Sequence, residues 1–373
     1  MKIGILTLPL HHNYGGIIQV YALMTNLKEL GYDPILIRRE HQKPQKWRYP
    51  FGVIKRIIQK FIFKIDVNVF EMNPQKSYLH NLNNFINTNL TPQSYFLYTT
   101  NEVKKYCLNG FDAFVVGSDQ VWREEWHRNW KMNFFFDFVD NPELVKLSYA
   151  ASFGIDTWNY NNSDTQKIKH LISQFRAVSV REDSAVRLCE EYLDIKAQHL
   201  VDPVLLLSKE CYLKLISSED EVGCTDLFTY ILDYNPRAND IIEAASKYLQ
   251  MKSYSIFENN EYKNMEQINY IMPSISRWLA CFNKAKYIIT DSYHGCVFAI
   301  VFNKPFIVIG NEFRGQTRFK SILKLFGLED RFVGSLVDNN LSFLKSNIDW
   351  KKINLKIEQE RIKSNQFFTS NLN

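Results

Sequence analysis

No run of the sequence approaches the roughly 18 apolar residues that a membrane-spanning helix needs. The apolar run from Ile3 to Leu10 is short, ends in His11-His12-Asn13 and has no small-residue cleavage site behind it, so nothing here resembles a signal peptide. Six cysteines, at 107, 189, 211, 224, 281 and 296, lie far apart, with no C-x-x-C pair and no histidine at ligand spacing. That pattern fits reduced thiols in a cytoplasm and argues against structural zinc; no metal site is expected. Internal repeats, long low-complexity segments and a G-x-G-x-x-G fingerprint are also lacking, which removes the simplest sequence argument for a dinucleotide.

What is present is a chain of 373 residues, too long for one hydrophobic core and long enough for two ordinary domains. Its net charge of +5 is unevenly spread: Arg38 to Lys64 holds nine Lys/Arg against one acid, Glu40, so the remainder sums to about −3.

Residues 1–7 read as a buried strand, "HHNYGG" as a loop, Ile17 to Leu30 as a helix closed by Gly31, and Pro34 to Ile37 as a second strand. This β-α-β start implies a parallel sheet with its loops gathered at the carboxyl ends of the strands. Strand-then-polar-loop units recur at 112–120, 147–154 and 177–183, and the pattern restarts after Asp202-Pro203 with strands at 227–232, 253–257, 287–289 and 306–309. The domain boundary is placed at 203–208, giving an α/β lobe over 1–205, a second over 206–345, and a final helix over 346–373 able to pack back on the first lobe. Two such Rossmann-like lobes facing a cleft describe a glycosyltransferase-B-like architecture, with ligands beyond the strand ends.

In "YIITDSYHGCVFAIVFNKPF" a polar cluster stands between two apolar runs, where polar atoms are costly unless paired or used. Asp291 to Gly295 reads as a turn, with a helix beginning near Cys296 or Val297. The amides of that helix start would make an anion site, His294 would stand beside it as a group titrating near neutral pH, and Asp291 could orient the imidazole or cap the helix. Equally, Asp291 and Ser292 serve as caps and His294 as a satisfied buried histidine. Arg181 ends the strand "AVSV", where a guanidinium grips an anion in bidentate fashion or pairs with Glu182 or Asp183. Arg314, Arg318 and Lys320 follow the last strand of the second lobe, each in isolation a solvated charge as readily as a ligand. Gly15 and Gly16 could bring backbone close to a ligand beside Asn13. In "GSDQVW" Ser118, Asp119 and Gln120 precede Trp122, a set that suits sugar hydroxyls or a turn with a packed tryptophan.

Taken in order, "NYGGIIQVYAL", "FDAFVVGSDQVW", "SYAASFG", "SVREDSA", "VDPVLLL" and "AKYIITDSYHGCVFAIVFNKPF", with "RFKSILKLFGLEDR" behind them, resemble the polysaccharide pyruvyltransferase family over most of residues 1–335. The resemblance implies a glycosyltransferase-B-like fold and transfer of pyruvate from phosphoenolpyruvate onto a sugar as a ketal, without a nucleotide donor or other cofactor. Carried over by position, Ser292, Tyr293 and His294 match the donor-binding turn, and Arg181 matches an arginine that binds the donor's anionic groups. Other members carry Arg-Leu-His where this chain has Ser292-Tyr293-His294, so Arg318 or Arg314 is expected to supply the missing charge. Asn13, Gly15, Gly16, Ser118, Asp119 and Gln120 fall to the acceptor side.

The chemistry asks for such a set. The enol must be protonated at its methylene carbon, which calls for a positioned acid, with His294 the candidate. A sugar hydroxyl then attacks C2, phosphate leaves, and a second hydroxyl, as in an O4/O6 pair, closes the ketal. Between Lys46 and Ile65, Ile54, Ile57, Ile58, Phe61 and Ile65 share one helical face, with Lys55, Arg56 and Lys60 mostly elsewhere. The segment reads either as a basic amphipathic helix on the inner face of the plasma membrane, near a lipid-linked acceptor, or as a domain helix with a solvated basic face. Nucleic acid is not an expected partner. Rival readings are a nucleotide-sugar glycosyltransferase, for which Glu258 and Glu266 have a suggestive spacing, and a catalytically silent carbohydrate-binding homologue.

Overall fold

A computed structural model describes residues 1–41, 54, 57–58, 78–108, 110–126, 129–221, 223, 226–257, 271–310, 315–333 and 341–373. The first lobe opens with β1 (Lys2–Leu6), α1 (Tyr14–Glu29) and β2 (Asp33–Ile37), and continues through α2 (His80–Asn89), α3 (Thr100–Cys107), β3 (Ala113–Val116), β4 (Val145–Ala151), α4 (Asn162–Ile172), β5 (Ala177–Val180), α5 (Asp183–Leu193) and β6 (Gln198–His199). The second follows α6 (Lys209–Leu213) with β7 (Leu227–Tyr230), α7 (Pro236–Leu249), β8 (Ser253–Ser255), α8 (Ile275–Lys284), β9 (Tyr287–Thr290), α9 (Tyr293–Val301), β10 (Phe306–Ile309), α10 (Thr317–Phe326) and β11 (Phe332–Val333); α11 (Trp350–Leu372) closes the chain.

Among the described residues the sheets run β2-β1-β3-β4-β5-β6 and β11-β10-β9-β7-β8, parallel throughout. Their near-continuous apolar strands, such as AFVV and FIVI, are what a sheet covered on both faces requires. Pro34 is accommodated because β2 is an edge strand and its missing donor leaves no gap in the ladder. The fold is therefore two Rossmann-like α/β lobes in a glycosyltransferase-B-like arrangement, as the strand-and-loop pattern implies.

One apolar core runs through both lobes, because α1 and α9 are each buried along most of their length and face one another across the junction. Tyr14 in α1 stacks on Trp278 in α8 at 5.4 Å between centroids and donates its hydroxyl to the Pro273 carbonyl at 2.7 Å. The last helix, α11, lies on the first lobe: Phe368 stacks on Tyr149 of β4 at 4.6 Å, and Arg361 donates to the Leu205 and Leu207 carbonyls. The carboxyl ends of β1, β2 and β3 and the start of α9 thus meet in one cleft.

Candidate functional site

The sequence places a turn from Asp291 to Gly295, but the helix starts three residues earlier than expected. Ser292 is the N-cap of α9 and its hydroxyl accepts from the Gly295 amide at 3.4 Å, so Tyr293 and His294 belong to the first helical turn. Gly295 is required there: a Cβ at this position would overlap Thr290 Oγ1, which itself donates to the Tyr230 carbonyl at 2.7 Å. Asp291 joins two strand ends. Its carboxylate accepts from the Leu232 and Asp233 amides at 2.6 and 2.9 Å, tying the end of β9 to the end of β7.

His294 is held from the other lobe. Its Nε2 lies 3.5 Å from Asp202 Oδ2, an ion-pair distance when the ring is protonated, while the Nδ1 edge faces Gly15 so closely that a Cβ there would overlap it. The same Asp202 accepts from Arg181 at 2.7 Å, from Ser118 Oγ at 3.2 Å and from the Val204 amide at 3.0 Å. Burial pushes its carboxyl up, but His294, Arg181 and the Val204 amide outweigh burial and hold it well below the ordinary carboxylate range.

Arg181 is accordingly a deep residue. Neither Glu182 nor Asp183 is its hydrogen-bonded partner; the guanidinium is committed to Asp202, to Ser118 Oγ at 3.3 Å and, at 3.6 Å, to Asp119, and it lies 4.3 Å from the Tyr293 ring centroid. Arg318 approaches the same ring at 5.5 Å, so a guanidinium is drawn to Tyr293 from each lobe. Burial, and then repulsion from Arg181, lower Arg318 to about 10, the signature of a cation whose surroundings call for negative charge.

These groups border a cavity of about 320 Å³, within the usual size range of ligand sites. Of the residues singled out from the sequence, Asn13, Gly16, Asp119, Gln120, Asp291, Ser292, Tyr293, His294 and Arg318 line it. Arg181, Gly15 and Ser118 are not on the wall: Arg181 and Ser118 support Asp202, and Gly15 backs His294. Asp119, in a left-handed backbone conformation with φ 76°, accepts from Asn13 Nδ2 at 3.3 Å and so joins the segments that follow β1 and β3. Arg314 and the Glu258/Glu266 pair lie outside the described residues, as does most of 46–65; of that segment Ile54, Ile57 and Ile58 are described, and all three are exposed.

Sequence reasoning missed several residues. Trp122 is fully buried, stacked on Phe135 at 5.3 Å, and the exposed aromatic on the cavity is instead Trp126, four residues on. His11, His12 and His41 also line the wall. Asp202 was visible only as the acid of "VDPVLLL", with nothing local to show that it faces His294.

Two helix starts, those of α1 and α9, point into this cavity from opposite lobes, neither carrying an acidic residue in its first turn. Together with Arg318 they suit a ligand bearing more than one anionic group. Among the described residues no three metal-ligating side chains gather, and no helix is long and apolar enough to cross a membrane.

A family model described as polysaccharide pyruvyl transferase matches residues 13–312. Comparison with curated proteins gives no sequence match. Among solved structures, the chain is similar to the UDP-GlcNAc 2-epimerase from Methanocaldococcus jannaschii, with TM-score 0.52 and 13% identity over 98% of this chain and 99% of that one. A second similar structure is the UDP-GlcNAc 2-epimerase from Neisseria meningitidis bound to UDP-GlcNAc, with TM-score 0.47 and 12% identity over 100% of this chain and 94% of that one. Identities this low speak to the fold alone.

Proposed function

Because the chain belongs to the polysaccharide pyruvyl transferase family, we propose that it moves pyruvate from phosphoenolpyruvate onto two hydroxyls of a sugar in a surface-polysaccharide precursor, releasing phosphate. The observation that supports this reading best is the pairing, on one cavity, of a histidine in the first turn of α9, fixed by Asp202, with a buried guanidinium, Arg318, in the first turn of α10. Phosphoenolpyruvate carries a carboxylate and a phosphate, and Arg318 with the opposed helix starts supplies complementary positive potential.

In this scheme His294 gives a proton to the methylene carbon while an acceptor oxygen bonds to C2, forming a phosphoketal. The second hydroxyl then bonds to C2 and the C2–O bond to phosphate breaks. Two hydroxyl protons leave the sugar: one balances the proton added to carbon and the other departs on phosphate. Arg181 acts as a positioning residue, holding Asp202 and the Tyr293 ring, and Arg318 supplies the charge that Ser292 does not. Asn13, Gly16, Asp119 and Gln120 face the acceptor, with Trp126 offering an apolar face to a sugar ring.

The acceptor is lipid-linked and presented at the inner face of the plasma membrane, toward which the basic segment 46–65 directs the enzyme. Incubation with isotopically labelled phosphoenolpyruvate and a candidate glycan, followed by mass spectrometry and a phosphate assay, tests the reading. A labelled ketal with stoichiometric phosphate supports it; label retained on intact donor contradicts it.

A further inference from the structure

The scheme leaves one duty unassigned, since something must accept the protons of the acceptor hydroxyls. The loops after β1 and β2 hold a group of suitable construction, with His11 on the cavity wall. His11 follows β1 and Glu40 follows β2, neighbouring strands whose carboxyl ends open on the same cleft. His11 Nε2 lies 3.3 Å from Glu40 Oε2, with the carboxylate nearly buried and the imidazole about half exposed, its side chain retaining 45% of its accessible surface.

Glu40 is itself fixed. Its amide donates to the Leu97 carbonyl at 2.8 Å, Arg38 approaches its other oxygen at 3.8 Å, and Arg38 is braced by Gln93 at 2.6 Å and the Phe96 ring at 4.6 Å. Arg39 donates to Asn133 Oδ1 at 3.1 Å and lies 4.4 Å from the Trp130 ring, which His41 also meets at 5.2 Å. His41 in turn stacks over His11 at 6.3 Å. A carboxylate at the Nε2 edge favours the proton there and leaves Nδ1 as the basic atom of the ring.

His11 lies only four residues before Gly15, which backs the His294 ring, so even a fully extended link keeps the two histidines' supports within about 14 Å along the chain. We infer that His11, oriented by Glu40, is the general base that takes the proton from each attacking acceptor hydroxyl, on the same cavity as the acid His294. This rests on the pyruvyl-transfer reading. In the balance, His11 gains the first hydroxyl proton as His294 gives one to the methylene carbon; His11 passes that proton to the departing phosphate, takes the second hydroxyl proton as the ketal closes, and releases it to solvent, from which His294 is reprotonated.

Surroundings that favour neither charged form suit a proton acceptor. Burial pushes Glu40 up to about 7 against the pull of Arg38 and Arg39, while burial and then Arg38 lower His11. Burial thus disfavours the charged form of each partner in the pair.

The test uses the full chain, phosphoenolpyruvate and a methyl hexopyranoside with free O4 and O6 at high concentration. His11→Gln should lower kcat by about 10²-fold with phosphoenolpyruvate affinity by calorimetry unchanged. Free imidazole should restore a measurable part of the activity of His11→Ala, because the site is half exposed, and should do nothing for the parent. Glu40→Gln should cost about 10-fold in kcat and shift the acid-side limb of the pH–rate profile, where the base loses its proton, a readout that a purely structural role would not move. A parent that forms no ketal takes the transfer reading and the dyad down together. An active parent with an unimpaired His11→Gln variant, or His11→Ala indifferent to imidazole, overturns the dyad alone.

Discussion

Gly15 of the first lobe and His294 of the second touch across the cleft so closely that no side chain fits between them. The imidazole is thereby pinned on one edge by backbone and on the other by Asp202 at 3.5 Å. Gly15→Ala should displace the ring and lower turnover by about 10²-fold, the scale of an ångström-sized misplacement of a catalytic group. Stability measured by thermal melting should fall less when His294 is also alanine, so the two substitutions will be non-additive in a double-mutant cycle.

Removing the acid itself gives a cleaner kinetic prediction. His294→Gln should reduce kcat by roughly 10²-fold or more while phosphoenolpyruvate binding changes far less. Turnover at the parental rate would remove His294 from the reaction.

The two arginines around Tyr293 should separate by assay. Arg318 lines the cavity, so Arg318→Gln should weaken phosphoenolpyruvate binding at least tenfold by calorimetry with little effect on the melting temperature. Arg181→Ala strips Asp202 of its closest cation and should cost about 3–5 kcal/mol of stability in denaturant titrations, as breaking a buried ion pair does. Loss of donor affinity in a folded Arg181→Lys protein, with Arg318→Gln unaffected, would reverse the assignment.

Two carboxyls should leave opposite marks on the pH dependence of stability. The folded-state value of Asp202 is depressed, so its contribution is complete above the ordinary carboxylate value near pH 4 and is lost as pH falls through the folded value; Asp202→Asn should flatten that acid limb. Glu40 is raised to about 7, so folding favours its protonated form, and the benefit present below about pH 4 is lost as pH rises toward 7. Glu40→Gln should therefore melt higher than the parent above pH 7, at the expense of turnover.

The fold was largely legible because parallel strands buried on both faces are short apolar runs and their loops are polar; "AVSV" and "FIVI" announce β5 and β10 at the observed residues. The start of α9 was missed because Ser292 caps the helix through Gly295, a residue that reads locally as a turn. Asp202 and Glu40 were not legible as site residues. Their roles come from contacts with His294, in the first turn of α9 in the other lobe, and with His11, on the loop after β1. Trp122 and Trp126 share one loop, and only tertiary packing decides which is core and which faces the cavity.

Residues 46–65 carry a prediction from sequence charge and periodicity. The parent protein should float with anionic vesicles in low salt and detach as salt shortens the Debye length, about 8 Å at physiological ionic strength. Changing Lys55, Arg56 and Lys60 to Gln should weaken flotation and slow reaction on lipid-linked acceptor while sparing a short soluble one. Equal flotation of parent and variant, or none by the parent, returns the segment to an ordinary domain helix.

The central claim is ketal transfer from phosphoenolpyruvate, and the most direct measurement is mass spectrometry of the glycan after incubation with the parent enzyme and carbon-labelled phosphoenolpyruvate. The account predicts a glycan heavier by labelled pyruvate less one water, one phosphate released per ketal, and both products formed about 10²-fold more slowly with His294→Gln. An unchanged glycan across lipid-linked and soluble acceptors with free O4 and O6, or transfer of a sugar from a nucleotide donor in its place, would contradict it.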